Sequence, residues 1–228
     1  MSSPYACNIV IDLEFTAVPK KLAKCGMGNE IIEIGAVKVL PNGVVADTFS
    51  RLVKPTLAGG VSVTTRYLTG IGSEDLLFAR PLAEVLAELA TWIGQGRARM
   101  VTWSGADEKQ LRTECQAKGI AWCLPTRWLD IQKLYPRLMG TKKRLVALGE
   151  AADWCGISND RASAHRALYD AQMTAEIFRM MASGECASQR RVLSEDVKSS
   201  ASTCASSIAS RCDGLAELLA ALKQRESA

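Results

Sequence analysis

The sequence predicts an α/β protein: a mixed central sheet, an antiparallel meander plus parallel strands, flanked by helices. Two observations point there. The first third holds apolar, β-branched runs separated by a tight-turn signal, and the remainder switches to helical periodicity broken by short apolar strands. A meander followed by alternating helices and strands is the order expected when helices pack on a mixed sheet.

Ala6 to Leu13 reads as the first strand. Glu30 to Leu40 follows, with Ile31, Ile32, Ile34, Val37 and Val39 apolar on both faces, as a central strand requires. Pro41-Asn42-Gly43 supplies an Asn-Gly turn, and Val44 to Val53 returns to complete three antiparallel strands. Pro81 to Ile93 carries Leu82, Val85, Leu86, Leu89 and Trp92 at helical spacing, with Pro81 suited to the first turn. Met100 to Trp103 is a short strand, and Ser104-Gly105 turns the chain into a helix from about Ala106 to Lys118. Trp128 to Ile131 reads as another short strand, and 144–154 and 167–181 as helices. From about Glu185 the composition shifts to Ala, Ser and charge. The expected division is therefore a domain over 1–184 and an extension over 185–228. In the extension, Leu215, Leu218, Leu219 and Leu222 line one face of an amphipathic helix at about 213–225, behind an Asp213 cap. Such a face suits docking onto the core, a homodimer or a protein partner.

The bulk properties mainly exclude. The 228 residues carry a net charge of +4, which fits a polyanionic partner without demanding one. No apolar run is long enough to span a membrane, and the N-terminal residues lack the pattern of a secretory signal. The expectation is an intracellular protein, cytoplasmic or, in a eukaryote, nuclear, not secreted. Eight cysteines are present, but none are in Cys-x-x-Cys spacing and there is a single histidine, so thiols are expected rather than a zinc site.

Chemistry concentrates in a few acids. Asp12 and Glu14, two apart at the end of the first strand, place both carboxylates on one face. Like charges that close are unfavourable unless a cation lies between them, and hard oxygen donors select Mg²⁺ or Mn²⁺. Asp107 stands in a first helical turn, where a capping role is the ordinary reading. His165 and Asp170 lie five apart, which on one helix would point them to different faces. They converge only if His165 occupies a non-helical entrance and Asp170 the first turns of the helix.

Three segments, Ile11-Asp12-Leu13-Glu14-Phe15-Thr16, Trp103-Ser104-Gly105-Ala106-Asp107 and His165-Arg166-Ala167-Leu168-Tyr169-Asp170, resemble the motifs of the DEDDh (DnaQ-like) 3′→5′ exonucleases. Glu30 to Gly35, Tyr67 to Ile71 and Leu129 to Leu134 agree as well, in details similar to the KapD and Eri-type branch. The resemblance covers roughly residues 6–183. It implies an RNase H-like fold and a hydrolase that releases nucleoside 5′-monophosphates from the 3′ end of RNA or DNA, with RNA favoured, on single-stranded or 3′-overhanging substrates. It also implies two Mg²⁺ (or Mn²⁺) ions. Asp12, Glu14 and Asp170 would hold the first and Asp12 would bridge to the second, with Asp107 assisting through water. His165 would be the general base. These roles suit the chemistry: two divalent ions can clamp the attacking and leaving oxygens of an in-line displacement, and a histidine ordinarily titrates near neutrality.

One position departs from the related RNA exonucleases, in which an aromatic often precedes the middle Asp; here it is Ala106. Candidate substrate contacts elsewhere are Phe15 and Tyr67 by stacking, Thr16 toward the terminal sugar, Arg166, and the basic run Lys142-Lys143-Arg144, with Lys20, Lys21 and Lys24 a second cluster. Asp130 and Glu33 are expected to serve structure. Two alternatives stand beside the nuclease: a non-catalytic nucleic-acid-binding module on the same fold, and a polymerase proofreading subunit docked through the C-terminal helix.

Overall fold

In the computed structural model, residues 4–23, 26–139, 145–158, 165–183 and 185 are described. The basic run Lys142-Lys143-Arg144, Lys24 and the amphipathic segment 213–225 lie outside them.

The meander forms from β1 (Cys7–Ala17), β2 (Asn29–Val39) and β3 (Val45–Lys54), each antiparallel to the next. Between β2 and β3, Gly43 turns at φ 84°, a left-handed conformation that glycine adopts without steric cost. After β3 come α1 (Val63–Thr69), the two-residue β4 (Arg80–Pro81) and α2 (Leu82–Ile93). Pro81 caps α2 from outside its first turn, one residue earlier than its fixed φ suggested. β5 (Ala98–Thr102), α3 (Ala106–Lys118), β6 (Trp128–Asp130), α4 (Tyr135–Leu138), α5 (Leu148–Trp154) and α6 (Ala167–Ser183) complete the described chain.

The strand order is β4-β3-β2-β1-β5-β6, with β5 parallel to β1 and β6 parallel to β5. β1 and β2 are central, and β2 is buried along almost its whole length, as its two-sided apolar pattern required. One face of the sheet packs Ile9, Ile11, Leu13 and Met100 against Leu82, Leu86, Leu89 and Leu111 of α2 and α3. The other packs Val10, Val37, Val39 and Val101 against Tyr135, Ala151, Ala152 and Ile177 of α4, α5 and α6. Period-two alternation therefore sends even-numbered residues of β1 toward α6.

Two boundaries differ from the sequence reading. β1 continues four residues beyond Leu13, because β2 keeps pairing with it to Asn29 across a bulge at Glu14/Phe15. Asp12 and Glu14 thus lie inside the strand, not at its end. The helix expected over 144–154 begins at Leu148, since Ala147 is extended at ψ 152°.

Candidate active site

The α6 face of β1 presents Asp12 and Glu14, and the partner strand explains why a helix can reach them. Opposite Asp12 stands Gly35, and opposite Glu14 stands Glu33. A Cβ on Gly35 would lie 2.1 Å from the Leu168 nitrogen and 2.2 Å from the Ala167 carbonyl carbon, so only glycine lets the first turn of α6 rest on β2. Glu33, 1% exposed, accepts the Ala167 N–H at 2.9 Å and pairs with the Nε–Nη2 edge of the Arg166 guanidinium, at 3.2 and 2.7 Å. One buried carboxylate therefore caps the first orphan N–H of α6 and fixes its start.

That start carries the two residues whose spacing demanded a break. His165 is the non-helical entrance, at φ 64°, and Asp170 sits in the first turn of α6. The His165 backbone N–H donates to Asp170 Oδ2 at 3.2 Å, which locks the entrance to the carboxylate. A histidine held in the left-handed region costs of order 1 kcal/mol, a strain typical of functional positions.

Asp107 arrives from the neighbouring strand. Pairing of β1 with β5 stops at Val10 and Val101, which leaves the Leu13 N–H without a β5 partner; the Asp107 carboxylate accepts it. The preceding turn is set by Asp130, which accepts the Gly105 N–H at 3.0 Å and pairs with Lys133 at 2.9 Å. Asp130 and Glu33 thus have the structural duties expected of them.

Ligand atoms of Glu14, His165 and Asp170 all lie within 4.8 Å of one another. Burial pushes the Asp12 carboxyl well above its ordinary range, and Asp107, Asp170, Glu14 and Glu33 push it further. Glu14 is pushed up to about 8, first by burial and then by Asp170, Glu33 and Asp107, against the pull of Arg166. Burial raises Asp107 and Asp170 as well. Glu14 and Asp170 have oxygen donors in reach of one another and of His165, and Asp12 and Asp107 are coupled to them by charge; acids this unwilling to ionise together fit a divalent cation.

That electrostatic state predicts a pH dependence. Carboxyls whose folded pKa exceeds the unfolded value keep more protons in the folded protein, so their stability contribution is complete below about 4.5 and is lost as pH rises through about 8. Melting in EDTA should therefore show Tm falling across that window. Mg²⁺ or Mn²⁺ should raise Tm, and more at pH 8 than at pH 5, because cations replace protons that have left. An equal shift at both pH values would mean the ions bind elsewhere.

Among the weaker candidates, the Thr16 side chain is fully buried; its hydroxyl accepts the Ser62 N–H at 2.9 Å and donates to the Gly60 carbonyl at 3.4 Å, so only its backbone is left for a substrate. Phe15 packs partly against the core, and its carbonyl accepts from Thr65 of α1. Tyr67, on that same helix, is 88% exposed. Arg166 is half-exposed, with its charge committed to Glu33. A buried network missed by the sequence reading supports this rim. The Glu30 carboxylate accepts the N–H groups of Thr56, Leu57 and Ala58 and pairs with Lys118, which also pairs with Glu114. Only the Glu114/Lys118 spacing, four apart on a helix, signals it locally.

The gap at Gly35 gives a second expectation. Gly35→Ala should lower stability by about 1–3 kcal/mol, the usual scale of overpacking, and should cost activity beyond that by displacing Asp170. Urea denaturation alongside activity of the folded fraction checks it; an undiminished rate would mean α6 can shift without consequence.

The family profile described as exonuclease (RNase_T) matches residues 9–178. The probable 3′-5′ exonuclease KapD of Bacillus subtilis is 25% identical over 173 residues, covering 76% of this chain and 83% of its own. The DNA polymerase III epsilon subunit of Escherichia coli is 29% identical over 192 residues, 81% of this chain and 75% of that one. The PolC-type DNA polymerase III of Thermotoga petrophila is 30% identical over 174 residues, but the match spans only 12% of that much longer protein. Among solved structures, the nuclease domain of 3′hExo, a DEDDh family member bound to rAMP, superposes with a TM-score of 0.70 at 23% identity, covering 82% of this chain and 96% of that one. Among the described residues, no helix is long and apolar enough to cross a membrane.

Proposed function

The chain belongs to the DEDDh (DnaQ-like) 3′→5′ exonuclease family, and from that premise we propose that it hydrolyses phosphodiester bonds at the 3′ end of single-stranded or 3′-overhanging nucleic acid, RNA more readily than DNA, releasing nucleoside 5′-monophosphates. The observation that carries the reading is the group formed by Glu14, Asp170 and His165 beside the middle of β1 and the start of α6, to which Asp12 and Asp107 are coupled by charge. Asp12, Glu14 and Asp170 would hold one divalent cation, Asp12 would share a second, and Asp107 would assist through water. Bound there, the ions supply Lewis-acid stabilisation of the charge that develops on the phosphate oxygens.

The residues do the rest. Glu33 and Gly35 hold Asp170 against β1, so the carboxylates are placed before substrate arrives. The exposed imidazole of His165, anchored by its own backbone N–H, takes the proton of the attacking water and passes it to solvent. Phe15 and Tyr67 border this group and suit sequence-tolerant stacking on terminal bases.

Incubation of 5′-labelled RNA and DNA strands with Mg²⁺, Mn²⁺ or EDTA tests this. Stepwise shortening from the 3′ end that needs metal is expected, faster on RNA. Binding without shortening under every metal condition would make the non-catalytic module the better description.

A further inference from the structure

Away from that group on the same sheet face lies a groove of about 510 Å³ between the start of β1, the β2–β3 turn, the start of β5 and the last turns of α6. Asn8, Leu40, Arg99, Phe178 and Arg179 are among its lining residues, as is Glu185, whose carboxylate lies 3.4 Å from Arg179 and not against Arg99. Arg99 is partly buried; its Nε donates to Asn8 Oδ1 at 3.0 Å, and its guanidinium lies 5.0 Å from the Tyr5 ring and 5.7 Å from Phe178. Arg97, two residues earlier on the same face, lies 5.5 Å from Tyr5. Met100 pairs with Trp128, so Arg127 stands beside Arg99 one strand over, about 4.8 Å away at the backbone. Leu129 packs on the α6 side, which puts Arg127 there too.

Among the described residues, Arg51, Arg66, Arg80, Arg112, Arg166 and Arg179 each pair with a carboxylate. Arg97, Arg99 and Arg127 pair with none, as does Arg137 on α4, and unlike Arg137 the three are neighbours that repel one another. Tyr5 and Phe178 lie against the guanidinium groups of Arg97 and Arg99, and the N–H groups these contacts do not use match phosphate oxygens. Arginines interleaved with aromatics are also the composition of a single-strand groove.

We propose that Arg97, Arg99 and Arg127, with Tyr5 and Phe178, form a second nucleic-acid site that grips the phosphates of the substrate strand away from its 3′ end. This rests on the nuclease reading above. Asn8 and Asp12 lie about 13 Å apart along β1, but Val10 between them is buried beneath the helices, so a strand that joins the two sites must pass outside that layer, past the exposed Arg127 beside the edge strand β6. The site makes the enzyme sensitive to strand length: a short strand reaches the carboxylates alone, and a longer one gains the arginines.

The test is steady-state shortening of strands about 4 and about 20 nucleotides long, spanning the usual range of single-strand site sizes, by the full chain and by an Arg97→Gln/Arg127→Gln variant. Both positions are exposed, and a melting curve checks the fold. The expected result is a KM for the long strand that rises roughly tenfold at low salt, with a log KM against log salt slope reduced by about 2, one per arginine, at unchanged kcat. The short strand should be unaffected, and Arg97→Lys/Arg127→Lys should restore most of the slope. An unchanged long-strand KM overturns the proposal, as does an equal rise for both lengths, and as does loss of AMP binding alone, which would mark a mononucleotide site. Failure of the nuclease reading looks different: wild-type protein would then shorten neither strand while binding the long one through these arginines.

Discussion

Asp12→Asn should abolish strand shortening, by about 10³-fold or more, the scale on which one member of a jointly acting catalytic set matters. The same substitution should raise the metal-free Tm at pH 8. Both follow from where Asp12 stands: Asp107, Asp170, Glu14 and Glu33 all disfavour its charge, and it is buried besides. An amide of the same shape removes that repulsion and removes the donor that would hold both cations. Activity and stability thus move in opposite directions, which simple misfolding cannot imitate. Rates with Mn²⁺ and melting in EDTA, on one preparation, decide it. A variant that keeps its rate within about tenfold would remove Asp12 from the centre of the site, and one that melts lower would mean the repulsion is not felt.

Much of this site is legible along the chain because its logic is local. Asp12 and Glu14 share a face by strand alternation, and the bulge after Glu14 leaves that relation untouched. The break between His165 and Asp170 follows from helical geometry, and the structure supplies it as a left-handed histidine. The helix from Ala106 to Lys118 matches its expected bounds because a Ser-Gly turn and Gly119 frame it. What escaped is long-range. Three short elements, α1, β4 and α4, were also not anticipated, because none is long enough to show a period. Gly35 gives no sign of its purpose until α6 is laid on it from more than 130 residues away. Glu30 reads as an ordinary strand acid, yet three N–H groups and Lys118 hold its carboxyl down at about 2 despite burial. The arginine edge was missed for the same reason: nothing near Arg97, Arg99 or Arg127 in sequence says that no carboxylate will meet them.

His165→Ala should slow shortening by about 10² to 10⁴-fold, the range of a general base. It is an informative substitution because the group that positions Asp170 is the His165 backbone N–H, which alanine keeps. Loss of the imidazole therefore leaves the carboxylates in place, and metal should still raise Tm as much as in the wild type. The geometry also admits a competing role, since an imidazole nitrogen lies within 4.8 Å of the Glu14 and Asp170 donors and could bind a cation directly. The two roles part on stability. As a base, the imidazole can be removed without changing the Tm gained from Mn²⁺, and free imidazole in solution should recover part of the rate. As a ligand, its removal must shrink that gain, because a cation that has lost a donor stabilises the fold less. His165→Gly adds a control on the backbone: glycine accepts φ 64° without strain, so it should melt no lower than the alanine variant while remaining equally slow. A glycine variant faster than the alanine one would shift the defect from the imidazole to the strained entrance of α6.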